Sequence, residues 1–270
     1  MAAKSKELVV AASSSALEAL RQEYPAEASF TRILLPRLGM VSQDVTEGKG
    51  KAMKVVTEAG TFFTEHQGEE EDENGKKVWN CEELGNTIEG VILFKRHQLK
   101  FYDESTDKFT SSPVYDSETD VIPLFCDKKE VAKGTPAELK ALYQFTGEDG
   151  KIKSKLEENR ILYVLHKDEV YQLNLRGSSM YAFMTYARKT TPNTVITVFG
   201  SEAKEKGSIN WNQMTFDPKR QITNTEAEII MEKIQEIKAG IAQEKGFYAN
   251  KNATQKPVEM SEARKELEKF

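Results

Sequence analysis

The sequence predicts a mainly antiparallel α+β protein in which hairpin-linked strands are supplemented by two or three helices. Apolar and polar residues alternate with a period of two along several segments, and short polar turns join these segments. Two helix starts carry a capping-box pattern. Hairpin connections imply antiparallel pairing, because parallel strands would need long crossovers. A mainly antiparallel arrangement of this kind favours a β-barrel or a strongly curved sheet.

The chain is expected to form one domain between two polar ends. Residues 1–28 mix Ala, Ser and charged side chains and predict a loose arm or weak helix, whereas residues 246–270 predict a polar tail. Residues 29–245 carry the strand and helix patterns and are numerous enough to bury a core. The expected order is therefore an arm, one β-rich domain and a tail.

Strand and turn signals fill the first half of this domain. The segment GTFFTEH predicts a strand, and Asn74-Gly75 predicts a two-residue hairpin turn because both residues tolerate positive φ. Residues 86–103 predict the longest strand, and the polar turn ESTDKF leads to its partner. The segment VIPLF predicts an edge strand, since Pro123 has no N–H to donate to a sheet ladder.

The next elements are a helix, a hairpin and a second helix. Thr135 and Glu138 form a capping box with Pro136 at the first helical position. The segment RILYVLHKDEVYQLNLRG predicts a hairpin by its period-two alternation. Ser178 or Ser179 is expected to cap the short helix SSMYAFMTYARK.

Two strands and a long helix close the predicted domain. TVITVFG and SINWNQMTF are expected to pair across the turn SEAKEKG. Thr225 and Glu228 form a second capping box at the start of the long helix. One face of that helix carries a stripe of isoleucines, namely Ile230, Ile234, Ile237 and Ile241.

Composition narrows the class of protein. The net charge of −5 over 270 residues argues against a polycation that coats duplex DNA. No apolar run is long enough to predict a membrane span, and the N-terminus lacks the apolar centre of a signal peptide. Cys81 and Cys126 have no CxxC spacing, so we expect reduced thiols and a cytoplasmic protein.

No motif predicts catalysis or a cofactor. The patterns GxxxxGK[ST], GxGxxG, HExxH and GxSxG are all missing from the sequence. The three histidines, His66, His97 and His166, lack the spacing of a metal site. We therefore expect a protein that is not an enzyme and that carries no cofactor or metal.

The longest predicted strand combines aromatic and basic residues. Alternation places Leu93, Lys95 and His97 on one face. The second face carries Ile92, Phe94, Arg96, Gln98, Lys100 and Tyr102. Because rings stack on bases and cations contact phosphates, Phe94, Arg96, Lys100 and Tyr102 are candidate nucleic-acid-binding residues. The alternative is that the rings pack beneath a helix while the charged ends reach solvent.

Three further candidates lie later in the chain. Arg176 ends the predicted hairpin, Lys189 ends the short helix, and Trp211 lies among Asn and Gln residues on a strand where exposure is expected. Between the hairpin and the helix, Gly177-Ser178-Ser179 presents N–H groups suited to a phosphate. Helix capping is the other explanation of these serines.

The segments that carry a family resemblance are FTRILLPRL, GTFF, IEGVILFKRHQLKFYD, VYQLNLRGSSMYAFMTYARK and TVITVFGSEAKEKGSINWNQMTFDP. Their order, over about residues 28 to 245, resembles that of the single-stranded DNA-binding proteins of tailed phages and related mobile elements. The resemblance implies an OB-like barrel, a groove for single strands without sequence preference, and a role in DNA replication, recombination or repair. A phage-encoded protein of this kind would act in the cytoplasm of its bacterial host.

The resemblance also concerns partners. In that family an acidic C-terminal tail ending in an aromatic residue often recruits replication or recombination proteins. This chain ends in SEARKELEKF, which keeps Phe270 but balances its glutamates with basic residues. A terminal amphipathic helix is the alternative, and oligomerisation stays open.

The leading prediction is thus a non-catalytic protein that binds single-stranded DNA independently of sequence. One alternative is a self-assembling phage structural protein whose strand faces bind further copies. Another is an acidic adaptor or inhibitor of a basic partner, acting through the acidic block Glu69–Glu73. The same block is otherwise expected to be a solvated loop tip.

Overall fold

The computed structural model describes residues 35–47, 54–71, 73 and 77–253. The predicted arm, the turn at Asn74-Gly75 and residues 254–270 of the predicted tail lie outside these residues.

The chain divides into two compact units. One consists of Met1–Ile33 with Lys238–Gln255, and the other consists of Leu34–Ile237 with Lys256–Phe270. The strands and the candidate site all belong to the second unit. The expected boundaries at residues 28 and 245 stay predictions.

The described chain contains fifteen strands and three α-helices. The strands are β1 (Arg37–Met40), β2 (Val45–Glu47), β3 (Lys54–Thr57), β4 (Phe62–Glu71), β5 (Lys77–Gly85), β6 (Ile88–Asp103), β7 (Lys108–Ser111), β8 (Ile122–Cys126), β9 (Lys129–Gly134), β10 (Gln144–Thr146), β11 (Ile152–Ser154), β12 (Glu157–His166), β13 (Glu169–Leu175), β14 (Val195–Lys206) and β15 (Ile209–Gln221). The helices are α1 (Pro136–Leu142), α2 (Gly177–Lys189) and α3 (Asn224–Ala253).

Eleven of these strands form one sheet in the order β5-β4-β1-β13-β12-β6-β7-β8-β9, with β14 joining β6 and β15 joining β14. Every pair in it is antiparallel except β1 with β13. The predicted mainly antiparallel α+β class is confirmed. Among the described strands, the path from β5 to β9 does not close into a barrel.

The main core lies where helix α2 packs on the sheet. Phe183 of α2 contacts Phe216 of β15 edge-on, with ring centroids 5.5 Å apart, and Phe199 of β14 contacts the same ring. The hydroxyl groups of Tyr186 and Thr197 hydrogen-bond at 2.6 Å within this core. Burial of these rings, together with fully buried residues such as Leu162, fixes α2 against the sheet.

Two of the predicted hairpins are confirmed by their register. β12 and β13 pair from Arg160 with Leu175 to His166 with Glu169, and the turn between them places Lys167 and Asp168 at positive φ. This is the backbone geometry that matches the twist of two paired strands. β4 and β5 also pair, although the predicted turn residues between them are not described.

The prediction of an edge position for the VIPLF segment is wrong. Its strand β8 pairs with β7 on one side and β9 on the other. The pairing with β7 is confined to Phe125 and Cys126, so Pro123 lies beyond it and pairs with Lys133 of β9 alone. Pro123 is tolerated in β8 because no β7 residue pairs with it, so its missing N–H interrupts no hydrogen bond to β7.

The helix starts are partly as predicted. Thr135 and Glu138 form the expected capping box of α1. The capping box of helix α3, however, lies two residues earlier than predicted. It is formed by Thr223 and Glu226 rather than by Thr225 and Glu228. Both pairs fit the same spacing, and Arg220 selects the earlier one through a bidentate bond to Glu226 at 2.7 and 2.9 Å.

Helix α2 starts without the expected serine cap. Its N-cap is Arg176, which makes no side-chain capping bond. The hydroxyls of Ser178 and Ser179 instead accept hydrogen bonds from Trp211 Nε1 and from the Met214 backbone N–H, both at 3.0 Å. Both hydroxyls therefore accept hydrogen bonds from β15, and these bonds attach the start of α2 to that strand.

The last two strands are longer than predicted. The segment SEAKEKG was expected to be a turn, but β14 continues through it to Lys206 and the chain turns at Gly207. Lys204 pairs with Glu202 at 2.7 Å on the same face of the strand, so the charged residues alternate as strand side chains. The result is a long two-stranded ribbon that carries Trp211.

A β-bulge in β6 changes the predicted facing of its residues. Tyr163 is opposite Phe94 and Val164 is opposite Ile92, which leaves Leu93 without a partner on β12. Since neighbouring residues of β12 point to opposite faces, Ile92 and Phe94 do too. Simple alternation predicts that Ile92 and Phe94 share a face. That prediction is wrong because the extra residue of a bulge cannot be recognised from the alternation of apolar and polar residues.

Candidate functional site

The second face of β6 is covered at one end and open at the other. Phe94 is half-buried and stacks on Tyr163 with the ring centroids 4.3 Å apart. Arg96 is 5% exposed, whereas Tyr102, near the end of the strand, is 52% exposed. Lys100 lies between these extremes and is half-buried. The face is therefore neither wholly exposed nor wholly covered, which lies between the two alternatives left open by the sequence.

Arg96 is a structural residue of this face. Its guanidinium donates to Asp116 at 2.6 Å and to the Val114 carbonyl at 2.9 Å. A buried arginine with these partners holds the segment after β7 against β6 and does not reach solvent. The prediction that its charge is presented on an exposed face is corrected accordingly, because this segment covers it.

A groove lies where the pairing of β1 with β13 ends. The two strands pair only through Arg37 with Gln172 and Leu38 with Leu173. The residues that follow on each strand line a groove of about 720 Å³. The start of α2 and the β15 residues Trp211 and Met214 also line this groove.

Three cations gather at this groove. Arg37 and Arg176 line it, and Lys100 lies close enough for both guanidinium charges to act on it. Partial burial, followed by the charges of Arg37 and Arg176, lowers the pKa of the Lys100 ammonium below its ordinary value. Gathered like charges of this kind are stabilised when an anion binds between them.

The groove also contains carboxylates. Glu65 lies 3.7 Å from the Arg37 guanidinium, and Glu157 is opposite Lys100 on β12. Neither Lys100 nor Arg176 forms an ion pair with another residue of the described chain. The site therefore keeps two cations available, while Arg37 is only partly compensated at this distance and exposure.

Aromatic and apolar side chains complete the groove. Trp211 is half-buried and its indole N–H is satisfied by Ser178, which fixes the orientation of the ring. Phe63 and Met40 line the groove as well. A fixed indole beside guanidinium groups can stack on a flat ring whose charged substituent contacts the cations.

The structure brings together three of the seven predicted site residues, namely Lys100, Arg176 and Trp211. Tyr102 is exposed but lies in an acidic neighbourhood, since its hydroxyl donates to Asp107 at 2.6 Å. That hydrogen bond raises the pKa of Tyr102, and the charge of Glu104 adds to the effect. Lys189 lies at the far end of α2, about 18 Å along the helix from the groove.

Sequence reasoning missed Arg37 and Phe63. Arg37 follows Pro36 in a short apolar segment, and its role depends on the parallel pairing of β1 with β13. Phe63 lies over Gly39, its partner across β1 and β4. No local signal marks either residue, because both contacts join segments that are distant in the sequence.

Gly39 allows the Phe63 ring to lie at the groove. A methyl group on Gly39 would overlap Cζ of Phe63 and lie 2.8 Å from each of the two neighbouring ring carbons. We expect Gly39→Ala to displace this ring, to cost about 1–2 kcal/mol of unfolding free energy in urea titrations, and to alter the groove. In the Phe63→Ala background the same change should cost little; equal costs in both backgrounds would contradict the contact.

The described residues contain neither a candidate metal site nor a candidate membrane-spanning helix. No group of three or more His, Cys, Asp or Glu side chains among them is arranged to hold a metal ion. None of their helices combines the length and apolar character that crossing a membrane requires.

Comparisons with known proteins provide no assignment. No protein-family model matches the chain, and no curated protein or solved structure is significantly similar to it. The function has to be inferred from the site.

Proposed function

We propose that this protein binds single-stranded DNA, without catalysing a reaction on it, in the groove between β1, β13 and the start of α2. The observation that carries the proposal is the grouping of Arg37, Lys100 and Arg176 beside Trp211. Phosphates supply three negative charges to such a cluster, while a base stacks on the indole.

A single strand suits this groove better than a duplex. Trp211 can stack only on a base that has left its neighbours, and the groove is about 720 Å³. Affinity from phosphate contacts and stacking is independent of sequence, as the family resemblance implies. We propose the associated role in replication, recombination or repair on the same basis.

The OB-type architecture belongs to this proposal. The described strands form an open path, which supports a curved sheet more than a closed barrel. Recruitment of partner proteins through the tail that ends at Phe270 is likewise a proposal. Self-assembly and an acidic adaptor role remain the alternatives. Self-assembly would use strand β5, at the edge of the described sheet, and an adaptor would use the exposed glutamates of β4.

The test is fluorescence anisotropy with labelled oligo-dT and a duplex of equal length across a salt series. We expect tighter binding of the single strand and an affinity that falls steeply as salt rises. An oligo-U arm measures the preference for DNA over RNA. No binding of either strand at low salt contradicts the proposal, and the protein's mass by light scattering then tests self-assembly.

Replacing Trp211 tests the stacking contact. We expect Trp211→Ala to weaken oligo-dT binding about tenfold, because base–aromatic stacking contributes about 1–3 kcal/mol. Trp211→Phe should retain most of the affinity. Since the indole also bonds to Ser178, a thermal unfolding measurement must show that the alanine variant is folded. A folded Trp211→Ala protein with unchanged affinity would exclude a stacking role.

A further inference from the structure

The second tryptophan of the chain also lies at the cationic site. The sequence contains two tryptophans. Trp211 lines the groove, and the guanidinium carbon of Arg37 lies 4.9 Å from the ring centroid of Trp79. Arg37 therefore contacts the groove and Trp79 at once. Nothing in the local sequence of β5 associates Trp79 with this site.

Trp79 and Arg37 point to the same side of the sheet. Arg37 is opposite Glu65 on β4, and Trp79 is opposite Gln67, two residues further along β4. Residues two apart on a strand share a face. The Trp79 ring is thus on the face that carries Arg37, Arg176 and Lys100.

The Trp79 ring is accessible although it is large and apolar. It is 41% exposed, and its strand β5 ends the sheet among the described strands, with eight of its nine residues exposed. The Arg37 stacked on it is 57% exposed. An exposed indole held by a guanidinium offers a flat surface with positive charge next to it, the combination that binds a base and its phosphate.

The cationic and aromatic side chains of this face extend over several neighbouring strands. Strands β5, β4, β1, β13, β12 and β6 are successive neighbours, so Trp79 and Lys100 are five strand spacings apart. At about 4.8 Å each, they are roughly 24 Å apart across the strands, and the register separates them by a further eight residues along the strand direction. Binding sites of this class cover about four or more nucleotides. The cations of Arg37 and Arg176 lie between these two residues.

We propose that Trp79 is a second stacking residue, and that bound single-stranded DNA runs from the Trp211 groove across Arg37 to Trp79. The inference rests on the proposed function and adds a binding subsite to it. It predicts that oligonucleotides long enough to reach both indoles are sensitive to Trp79, whereas very short ones that fill only the groove are not.

The experiment uses the full chain and its own fluorescence. In Trp211→Phe the emission comes from Trp79 alone, and in Trp79→Phe it comes from Trp211 alone. Addition of oligo-dT of twelve nucleotides should quench both proteins. Trp79→Ala should weaken the twelve-nucleotide oligomer about fivefold and an oligomer of three or four nucleotides less than twofold. The matched control is Phe109→Ala, which removes a similarly exposed aromatic residue of β7 and should change neither affinity.

The outcomes separate this inference from the function on which it rests. Salt-dependent binding with quenching of Trp211 alone, and an unchanged twelve-nucleotide affinity in Trp79→Ala, overturns the second subsite and keeps the groove. Equal loss for short and long oligomers overturns the path across Arg37. Should Trp79→Ala fail to fold, quenching of Trp79 in the Trp211→Phe protein decides the question. Absence of binding by the unsubstituted protein overturns both proposals.

Discussion

Replacing Arg37, Lys100 and Arg176 together by alanine is expected to weaken oligo-dT binding at low salt by about 100-fold or more. Each contact between a cation and a phosphate contributes about 1 kcal/mol, and tenfold in affinity corresponds to about 1.4 kcal/mol. The slope of the logarithm of affinity against the logarithm of salt should fall by about 2, since a single strand releases about 0.7 counterion per phosphate contact. Fluorescence anisotropy at several salt concentrations measures both quantities.

The matched control for this substitution is Lys189→Ala. The sequence predicts Lys189 as a site residue, but the structure places it at the end of α2, remote from the groove. We expect an affinity within twofold of the unsubstituted protein. A loss at Lys189 equal to that of the groove cations would indicate diffuse attraction and contradict a defined site.

Removing a carboxylate near the cations should change the affinity for oligo-dT in the opposite direction. Glu65 lies 3.7 Å from Arg37 and would compete with a bound phosphate for that guanidinium. Glu65→Gln should therefore raise the affinity by about twofold to threefold at low salt. If removal of a carboxylate and removal of the cations change affinity in the same direction, the electrostatic basis of the proposed site is wrong.

The second large effect is expected at Glu158, whose replacement by glutamine should lower the unfolding free energy at pH 7 by about 2 kcal/mol. Its carboxylate accepts hydrogen bonds from His97 Nδ1 at 2.9 Å and from Lys140 Nζ at 2.6 Å. The side chain is only 18% exposed. These bonds join β12 to β6 and to α1, so their loss weakens the attachment of that helix.

The ionisation of Glu158 also predicts how the unfolding free energy changes with pH. The hydrogen bond from His97, with a further contribution from Lys140, lowers the pKa of Glu158 from 4.5 to about 2, against the effect of burial. Because the folded-state pKa is the lower one, this stabilisation is present above about pH 4.5 and is lost as the pH falls toward 2. Glu158→Gln should flatten the stability curve in that window.

Urea unfolding between pH 2.5 and pH 7 measures both effects. The control is Glu89→Gln, which removes an exposed ion pair with Lys219 and should change stability by less than about 0.5 kcal/mol. A Glu158→Gln protein as stable as the unsubstituted one at pH 7, with the same slope in acid, would show that the network does not hold α1.

Local chemistry explains which predictions succeeded. The hairpin of β12 and β13 and the capping box of Thr135 with Glu138 depend on residues close in sequence. The capping box of α3 shows the limit, since two Thr-x-x-Glu pairs fit the same pattern and the bidentate bond from Arg220 decided between them. The bulge at Leu93 is a second limit, because one unpaired residue reverses the facing of everything beyond it.

The sequence by itself determined the mainly antiparallel class, the hairpins, and the presence of aromatic and basic side chains on strands. Only the tertiary structure decided which of those side chains meet. Arg96 is covered by a segment that returns to β6 after β7, whereas Lys100 lies near Arg37 and Arg176 because β1 adds parallel to β13. Alternation along a strand is set by the geometry of neighbouring residues, but a binding site requires contacts between distant segments, which only the packed sheet specifies.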